Sequence, residues 1–253
     1  MSLPPNVPLL YPLLVSCGIL LAVCYPVTKQ MTDPRLKRQY YVLQAVALLG
    51  LVVGAKLAVM WGDHDWPFTP MSFNEVLVCG RSITGGLIGG FLAPEVGKIL
   101  IGYPMPPNDR FAAILPFSIA IGRVGCLIEG CCRGIPWNGP WSIVYADGVP
   151  RHPAQIYEIL FQLSMGVLFL YLVNHGLLFG RIFCAYLFGY GCFRFLTEFL
   201  RETPRTVHGF SAYQVMAVFM LLLGLGVLLK RTLYPPATWE PFRVAWTWKP
   251  VNE

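Results

Sequence analysis

Long apolar runs alternate with short polar segments along most of this chain. Runs of spanning length fall at roughly 9–28, 40–61, 82–101, 111–129, 156–174, 180–200 and 211–230. An α-helix needs about 20 predominantly apolar residues to cross the hydrocarbon core of a bilayer, and each run has about that length. The pattern therefore predicts an all-α integral membrane protein with about seven transmembrane helices.

The third run is the least regular, because it contains GGLIGG at 85–90 and is interrupted by Glu95. Small residues at this spacing allow helices to approach closely in a bilayer, which is the structural interpretation of Gly85 and Gly86 and of the glycine pair that follows them. The alternative interpretation is that this stretch gates the entry of a lipid. The sequence leaves both interpretations open.

Composition supports the assignment to a membrane protein. Of the 253 residues, 55% are hydrophobic and 13% are charged, and the mean hydropathy is +0.56. Average soluble domains contain about 25% charged residues. The formal net charge is +6, but the cations concentrate in one set of loops, so topology explains the charge and we expect no nucleic-acid partner.

Lysine and arginine are distributed unevenly between the two sets of predicted loops. Eleven of them follow the first, third, fifth and seventh runs, and five lie in the opposite loops. The positive-inside rule places the cation-rich side in the cytoplasm. The rule therefore predicts an N-terminus outside the cytoplasmic membrane and a C-terminus in the cytoplasm.

No internal repeat, low-complexity tract or soluble domain is evident, so the sequence predicts a single polytopic membrane domain over residues 1–253. Residues 231–253 are predicted to form a cytoplasmic or interfacial tail, because tryptophan and phenylalanine favour the membrane interface. The N-terminal segment has no positively charged n-region, and we interpret it as mature protein.

Polar residues of unusual type concentrate in the predicted outer half of the membrane. Arg123 lies near the outer end of the fourth run, and the sixth run carries Tyr190, Arg194, Glu198 and Arg201. The spacing of these four, i, i+4, i+8 and i+11, places them on one face of a helix. Further candidates lie at the helix ends on the same side: Arg81, Glu129, Arg151, His152, Gln155, Tyr157, Glu158 and Gln214.

Arginine is well suited to bidentate recognition of phosphate, and ionisable residues inside a membrane mark candidate functional sites. Arg123 and Arg194, together with the outer-face cations, therefore indicate a bound anion. The abundant anion at that depth of a bilayer is a phospholipid headgroup.

Plainer interpretations exist for single residues. Arg194 and Glu198 have the spacing of an ordinary i,i+4 ion pair. Tyr157 and Tyr190 are of the type that anchors helices at a membrane interface. His152 precedes a proline and has an interpretation as a simple loop residue. These interpretations stay open for each residue alone, and the set as a whole disfavours them.

The eight cysteines show no metal-ligand spacing, so we expect neither a metal nor another cofactor. Most of them lie in apolar runs, where a free cysteine behaves as a small hydrophobic residue. Cys126, Cys131 and Cys132 surround Glu129 at the end of the fourth run. Apolar packing is the default interpretation of these three; a covalent nucleophile and a disulfide to another helix are the alternatives.

Several motifs resemble those of bacterial prolipoprotein diacylglyceryl transferases, in the same order along nearly the whole chain. GAK at 54–56 is similar to the family's second-helix GAR motif, and RSITGGLIGG at 81–90 is similar to its HGG-type motif. GRVGCLIEGCCRGIP at 122–136 is similar to the signature that begins GRxGN. Three further motifs match closely: RHPAQIYE at 151–158, GYGCFRFLTEFLRE at 189–202 and SAYQ at 211–214.

The resemblance implies a seven-helix enzyme of the bacterial inner membrane with a periplasmic N-terminus. Such an enzyme moves a diacylglyceryl group from phosphatidylglycerol to the lipobox cysteine thiol of a preprolipoprotein, and glycerol phosphate leaves. Its partners are this phospholipid and prolipoprotein signal peptides, and we expect a monomer. The family's functional residues correspond to Arg123 and Arg194 for the phosphate-contacting arginines, Tyr190 for the helix-six tyrosine and Glu198 for the helix-six acid.

The chain departs from the family pattern in the middle of this site. Thr84 stands where the family has a histidine, and threonine cannot accept a proton near neutral pH. Cys126 replaces the asparagine of GRxGN, Glu129 replaces a second asparagine, and Cys131 replaces a glutamate. Two hypotheses follow: a diacylglyceryl transferase, or a divergent paralogue that binds or transports phospholipid or serves another acceptor.

An acceptor thiol with an ordinary pKa of about 8.5 is partly ionised at neutral pH, so a dedicated base is not essential. If one is used, Glu129 and His152 are the candidates. We predict catalytic roles for Arg123, Arg194, Tyr190, Glu129 and His152. We predict substrate-binding roles for a larger set: Arg81, Thr84, Gly85, Gly86, Arg151, Gln155, Tyr157, Glu158, Glu198, Arg201 and Gln214.

Overall fold

The computed structural model describes residues 33–64, 71–78, 80, 82–104, 109–205 and 208–235, with residues 13, 14, 16–18 and 20 near the N-terminus. The helices are α1 (Pro34–His64), α2 (Phe73–Val78), α3 (Ile83–Ile101), α4 (Asp109–Glu129), α5 (Ala154–Asn174), α6 (Ile182–Thr197) and α7 (Ala212–Leu233). A 3₁₀ turn, Glu198–Leu200, follows α6. Two short antiparallel strands, β1 (Ile143–Val144) and β2 (Pro150–Arg151), lie between α4 and α5.

Five segments of the described chain are long and apolar enough to cross a membrane: Pro34–Asp63, Ile83–Ile101, Phe111–Glu129, Ala154–Asn174 and Ala212–Leu233. They coincide with the second, third, fourth, fifth and seventh predicted runs, which confirms a helical, multi-pass membrane protein. The first run lies mostly outside the described residues. The sixth run forms α6, which has 16 residues and continues into the 3₁₀ turn. The total of seven spans and the orientation of the termini stay predictions.

The start of α1 differs from the prediction. The helix begins at Pro34 rather than near position 40, so Arg35, Lys37 and Arg38, which the pattern assigned to a loop, lie in its first turns. Asp33 caps this end, because its Oδ1 accepts a hydrogen bond from the Arg35 N–H at 2.8 Å. A side-chain cap of this kind starts a helix before its apolar periodicity becomes visible in the sequence.

The end of α7 also differs from the prediction. The helix continues to Leu233, so residues 231–233 belong to it rather than to the tail. Arg231 is buried, and its Nη2 lies 2.8 Å from an oxygen of Glu95. The acid that interrupts the third apolar run is therefore paired with a cation. The rest of the predicted tail, 236–253, lies outside the described residues.

The described residues form two compact units. The first unit comprises the described parts of Met1–Pro26, Phe111–Leu172 and Leu196–Glu202, and the second comprises those of Val27–Arg110, Val173–Phe195 and Thr203–Glu253. Each unit is assembled from separate stretches of the chain, so neither is a domain that is continuous in sequence. The single domain over residues 1–253 stays a prediction.

In the second unit, glycines bring α1 and α3 into backbone contact. A Cβ atom added to Gly85 would lie less than 3.0 Å from the Gly54 carbonyl oxygen and from the side chain of Ala58. A Cβ atom at Gly89 would meet the Gly50 carbonyl oxygen as closely. Close approach matters in lipid, where van der Waals contact rather than the hydrophobic effect holds helices together. The structural interpretation of this glycine run is therefore supported.

Serine side chains cap the starts of α3 and α7. The Ser82 hydroxyl accepts a hydrogen bond from the Gly85 N–H at 3.4 Å. The Ser211 hydroxyl accepts from the Gln214 N–H at 3.1 Å, and the Gln214 side chain accepts from the Ser211 N–H at 3.0 Å. This reciprocal pair is a capping box. Gln214, a predicted substrate-binding residue, is thus engaged in starting its own helix.

We predict that Gly85→Ala destabilises the packing of α1 on α3, because the new Cβ would overlap the backbone of α1. Overpacking of this kind costs about 1–3 kcal/mol, which lowers the midpoint of thermal unfolding in detergent. Gly90→Ala is the matched control, since the nearest atom to a Cβ there lies 3.5 Å away, in ordinary contact. Equal unfolding midpoints for the two variants would contradict this close packing.

Candidate active site

In the first unit, α4 ends at a glycine. Gly130 has a left-handed backbone with φ of 69°. Its N–H donates to the Leu127 carbonyl at 3.2 Å, and the Cys131 N–H donates to the Cys126 carbonyl at 3.1 Å. These two bonds form a Schellman motif, which ends the helix and brings the side chains of Cys126 and Cys131 next to each other.

The segment after α4 is held between two neighbouring stretches of backbone. The Gly134 N–H donates to the His152 carbonyl at 3.1 Å, and the Ile135 N–H donates to the Leu200 carbonyl at 2.9 Å. Gly134 also forms an antiparallel bridge with Arg201. Only glycine fits at this position, because an added Cβ would lie 2.7 Å from the carbonyl oxygens of both His152 and Leu200. The segment therefore holds His152 and Arg201 on its two sides.

A buried ion pair lies in the same unit. The Arg123 Nε lies 2.9 Å from the Glu158 Oε2, and the two side chains are 9% and 3% exposed. The Arg201 Nη1 lies 4.0 Å from the same oxygen, with its side chain 10% exposed. Arg123 comes from α4, Glu158 comes from α5, and Arg201 follows the 3₁₀ turn. The ion pair therefore joins three segments of the first unit.

The burial of these groups explains why they are paired. Moving an ion out of water costs several kcal/mol, and an opposite charge at contact distance offsets part of that cost. Each guanidinium carries five N–H donors in a rigid fork that matches carboxylate and phosphate oxygens. Two such forks around one carboxylate are suited to bind an anionic group and to stabilise negative charge that develops on it.

Arg201 does not lie on the helical face that its spacing predicts. α6 ends at Thr197, Glu198 opens the 3₁₀ turn, and Arg201 has an extended backbone with φ of −114° and ψ of 149°. In the bridge between Gly134 and Arg201, the Leu200 carbonyl accepts from the Ile135 N–H, and a longer helix would use that carbonyl internally. Glu198 is fully buried. Both residues stay candidate site residues, carried by a turn rather than by a helix.

Arg151 is held by protein groups on three sides. Its Nη1 donates to the Gly134 carbonyl at 3.4 Å and to Glu202, and its Nη2 donates to Asp147 Oδ2 at 3.0 Å. The Val149 N–H, and then the Arg151 guanidinium, hold the pKa of Asp147 below its usual value. Arg151 therefore anchors the loop between α4 and α5, which is a structural role beside the predicted substrate-binding one.

His152 lies in an aromatic cluster. Its ring stacks on Trp137 with centroids 4.2 Å apart and an angle of 9° between the planes. Its Nδ1 lies 3.0 Å from the hydroxyl of Tyr157, which accepts a hydrogen bond from Trp141 Nε1 at 2.8 Å. The Tyr157 hydroxyl both donates and accepts, so it is able to hydrogen-bond Nδ1 in either tautomer of His152. The structure thus brings two predicted site residues together.

Gln155 links the start of α5 to the loop. Its Oε1 accepts a hydrogen bond from the Tyr145 hydroxyl at 2.8 Å, and its Nε2 donates to the Cys131 carbonyl. The side chain is almost fully buried, at 1% exposure. Burial raises the pKa of Tyr145, so the hydroxyl keeps its proton and stays a donor. Gln155 therefore positions the cysteine segment, a contact that the sequence pattern did not predict.

The three cysteines named at the end of the fourth run form a cluster, which their spacing in the sequence did not predict. The Sγ atoms of Cys126, Cys131 and Cys132 all lie within 4.8 Å of one another. The Arg123 Nη1 donates to the Cys126 Sγ at 3.8 Å. Hydrogen bonds from the thiols of Cys126 and Cys131 lower the pKa of Cys132, and Arg123 and Arg201 act in the same direction. Gly130 was the available signal in the sequence. A glycine at a helix end commonly adopts a left-handed backbone, which folds the residues after it back against the last turn of the helix.

The predicted site residues are divided between the two units. The first unit holds Arg123, Glu129, Arg151, His152, Gln155, Tyr157, Glu158, Glu198 and Arg201. The second unit holds Thr84, Gly85, Gly86, Tyr190, Arg194 and Gln214. Glu129, a candidate base, is exposed as the last residue of α4. Arg81 lies outside the described residues.

In the second unit, Tyr190 and Arg194 lie one turn apart on α6, and both are buried. The Arg194 Cζ lies 5.8 Å from the centre of the Tyr213 ring, within the range of a cation–π contact. The Tyr213 hydroxyl donates to Asp63 Oδ1 at 2.9 Å. Tyr213 therefore connects α1, α6 and α7. It lies in the SAYQ motif but was not among the predicted site residues.

Thr84 lies in the first turn of α3 and is 1% exposed. Among the described residues, no hydrogen-bond partner of its Oγ1 is present. A hydroxyl at this position is able to hydrogen-bond a polar ligand but does not take up a proton near neutral pH. The catalytic and binding roles assigned to Thr84, Tyr190 and Arg194 stay predictions.

The observations so far define a class of protein: a multi-pass helical membrane protein with a buried arginine–glutamate site at the end of a spanning helix. A family model described as prolipoprotein diacylglyceryl transferase matches residues 2–230 of the chain. This match covers most of the sequence. The chain belongs to the prolipoprotein diacylglyceryl transferase family.

Bacterial proteins named phosphatidylglycerol–prolipoprotein diacylglyceryl transferase are similar to this chain. The protein of Bordetella bronchiseptica is 32% identical over 203 residues, which cover 76% of this chain and 77% of the relative. That of Vibrio parahaemolyticus is 30% identical over 206 residues, covering 74% and 73%. That of Aliivibrio fischeri is 32% identical over 208 residues, covering 74% and 72%. The similarity agrees with the resemblance carried by the sequence motifs.

We predict that Arg151→Ala loosens the loop between α4 and α5, because it leaves the buried Gly134 carbonyl without its donor. Such a loss costs about 1–3 kcal/mol, so limited proteolysis within residues 131–153 becomes faster. Arg133→Ala is the matched control. Arg133 pairs with Asp147 at 2.8 Å, but 38% of its side chain is exposed, and exposed ion pairs contribute about 1 kcal/mol at most. Equal rates of cleavage in the two variants would show that Arg151 is not the anchor.

Proposed function

We propose that this chain transfers a diacylglyceryl group from phosphatidylglycerol to the thiol of the lipobox cysteine in a prolipoprotein signal peptide. Membership of the family and the names of the similar bacterial enzymes support this function. The observation that carries it is the buried contact of Arg123 with Glu158, with Arg201 facing the same carboxylate oxygen. Arg123 lies near the end of a spanning helix, and guanidinium groups are suited to bind the phosphate of a lipid headgroup.

An apolar groove adjoins these charged residues on the same two helices. It has a volume of about 520 Å³ and is lined by Val124 and Ile159, which follow Arg123 and Glu158 in sequence, and by other apolar side chains of α4 and α5. A phospholipid carries its phosphate next to its acyl chains, so an arginine site beside an apolar groove fits that chemistry. We propose that the phosphate binds at Arg123 and that an acyl chain lies along the groove.

In the proposed reaction, the acceptor sulfur forms a bond to the glyceryl carbon that carries the phosphate. The bond between that carbon and the phosphate oxygen breaks, the oxygen keeps the electron pair, and glycerol phosphate leaves while the thiol loses its proton. Negative charge on the leaving phosphate increases in the transition state. Arg123 and Arg201 are placed to stabilise that charge, and a preorganised donor of this kind contributes about 10²–10³ in rate.

The acceptor thiol does not need a dedicated base. An ordinary thiol pKa of about 8.5 leaves a fraction ionised near neutral pH, and nearby guanidiniums increase that fraction. Thr84 is unable to take the thiol proton. If a base takes part, we propose Glu129, which is exposed to solvent, or His152, which is hydrogen-bonded to Tyr157.

We further propose a monomer in the bacterial inner membrane, with seven transmembrane helices, a periplasmic N-terminus and a cytoplasmic tail after α7. The uneven distribution of lysine and arginine supports this orientation. In this orientation the C-terminal end of α4, and with it Arg123, faces the periplasm. The signal peptides of exported prolipoproteins are accessible on that side of the membrane.

Complementation tests the assigned reaction. In a bacterial strain depleted of its own transferase, we expect this chain to restore growth and to produce lipoprotein with a thioether-linked diacylglyceryl group. Mass spectrometry of the lipoprotein's N-terminal peptide measures this modification. Normal expression in the membrane without modified lipoprotein would contradict the proposed acceptor, and would favour a paralogue that binds phospholipid or serves another acceptor.

Variants of the ion pair test the phosphate site. We expect Arg123→Ala to lower the rate of transfer at least about 100-fold, since it removes a preorganised charge-stabilising group. This variant also leaves Glu158 buried without its partner, which costs about 3–5 kcal/mol. The double variant Arg123→Met with Glu158→Gln removes both charges of this pair and keeps an amide oxygen facing Arg201, so it lowers that cost. We expect it to fold and still to lack transfer.

The rate is measured in detergent micelles with phosphatidylglycerol and a lipobox peptide, and folding is checked by thermal unfolding. Arg133→Ala is the matched control, because Arg133 is a half-exposed arginine of the same unit, and it is expected to retain the wild-type rate. Retained transfer in a folded double variant would rule out Arg123 as the phosphate-binding residue.

A further inference from the structure

The cysteine cluster of Cys126, Cys131 and Cys132 is a set of three ligand atoms that lipid transfer does not use. Their Sγ atoms lie within 4.8 Å of one another. Among the described residues, no other group of three or more histidine, cysteine or acidic side chains has its ligand atoms this close together. Thiolate sulfur is a soft ligand that selects ions such as Zn²⁺ and Cu⁺.

The backbone places these sulfurs together before any ion binds. The Schellman motif at the end of α4 sets Cys131 against Cys126, a position that apolar side chains usually fill. Cys132 then adopts a left-handed backbone with φ of 59°. A residue with a Cβ rarely takes this conformation, and such outliers concentrate at ligand-binding sites. The strained residue is the one that completes the group of three sulfurs.

Neighbouring side chains keep the cluster in place. Gln155, which is buried, donates to the Cys131 carbonyl and so fixes the middle cysteine. Arg123 donates from Nη1 to the Cys126 Sγ at 3.8 Å. Three thiolates with a divalent ion carry a net charge of about −1, which an adjacent guanidinium compensates. A cluster used only for apolar packing has no need of such a donor.

The distances suit a metal ion after a small adjustment. Zinc–sulfur bonds are about 2.3 Å long, so neighbouring sulfurs of a tetrahedral site lie about 3.8 Å apart. In the structure the Sγ atoms lie at most 4.8 Å apart. Side-chain rotations that shorten these distances by about 1 Å or less therefore bring the sulfurs to the spacing of a zinc site. Cys126 is buried and Cys132 is exposed, so an ion enters from the exposed side. Three protein ligands leave the fourth position open, as in catalytic rather than structural zinc sites.

We propose that Cys126, Cys131 and Cys132 form a binding site for one thiophilic metal ion, of the Zn²⁺ class, at the end of α4. The thiols release their protons on binding, and the ion forms three sulfur bonds without any change in oxidation state. The site contacts Arg123, so an ion bound there alters the surroundings of the proposed phosphate site. The proposal does not depend on lipid transfer and is tested without it.

Metal content tests the proposal directly. Full-length protein in detergent is reduced with a phosphine, stripped with a chelator, reloaded with Zn²⁺, desalted and analysed by elemental mass spectrometry. We expect one zinc per chain in the wild type, and less than about a tenth of that after Cys132→Ser or after Cys126→Ser with Cys131→Ser. Cys192→Ser is the matched control, since Cys192 is a half-buried free cysteine on α6, and it is expected to keep one zinc.

A second measurement uses the wild-type protein alone, so it does not depend on whether the variants fold. Cys132 is exposed and should react with a maleimide, and Zn²⁺ should slow this labelling at least about tenfold until a chelator restores it. Cobalt in place of zinc should add a thiolate-to-metal charge-transfer absorption. Wild-type protein with free thiols that binds no zinc would overturn the proposal. Zinc that stays bound after Cys132→Ser would also overturn it, because the ion would then lie elsewhere.

Discussion

The contact between Arg123 and Glu158 is the interaction on which the first unit depends. Both side chains are buried on membrane-spanning helices, and an unpaired charge in such surroundings costs several kcal/mol. The pair therefore forces α4 and α5 into one register, and Arg201 joins it from the turn after α6. Burying a charged pair costs free energy, so such pairs are retained where their donors have a chemical role. The guanidinium groups of Arg123 and Arg201 are suited to hold a lipid phosphate.

The loop between α4 and α5 completes this site because its backbone groups are satisfied by neighbours rather than by water. Gly134 lies between two strands of backbone that leave no space for a side chain. Arg151 bridges the loop, and Gln155 fixes the carbonyl of Cys131. The same contacts that hold Arg123 and Arg201 in place also gather three thiols beside Arg123. A member of this family thus carries a cluster of three cysteines, which we propose as a metal site.

Much of the membrane architecture was predictable, because hydropathy is a local property of sequence. In the described part of the chain, five helices long and apolar enough to span a membrane lie where apolar runs indicate them, and glycines of α3 pack closely against α1, one of the two interpretations of their spacing. The errors lie at boundaries. α1 starts early because Asp33 caps it, and α6 ends early because the backbone of Arg201 pairs with Gly134. Neither cause is visible in periodicity, since one is a single side-chain bond and the other is a long-range contact.

The sequence by itself determined the family and the five described spanning segments, because these follow from ordered motifs and local composition. Only the tertiary structure decided which side chains contact each other. Glu158 rather than a helical neighbour pairs with Arg123, Arg151 turns toward the protein, and Cys132 reaches Cys126. Such pairings depend on the directions of side chains from separate segments, and a linear pattern does not contain those directions.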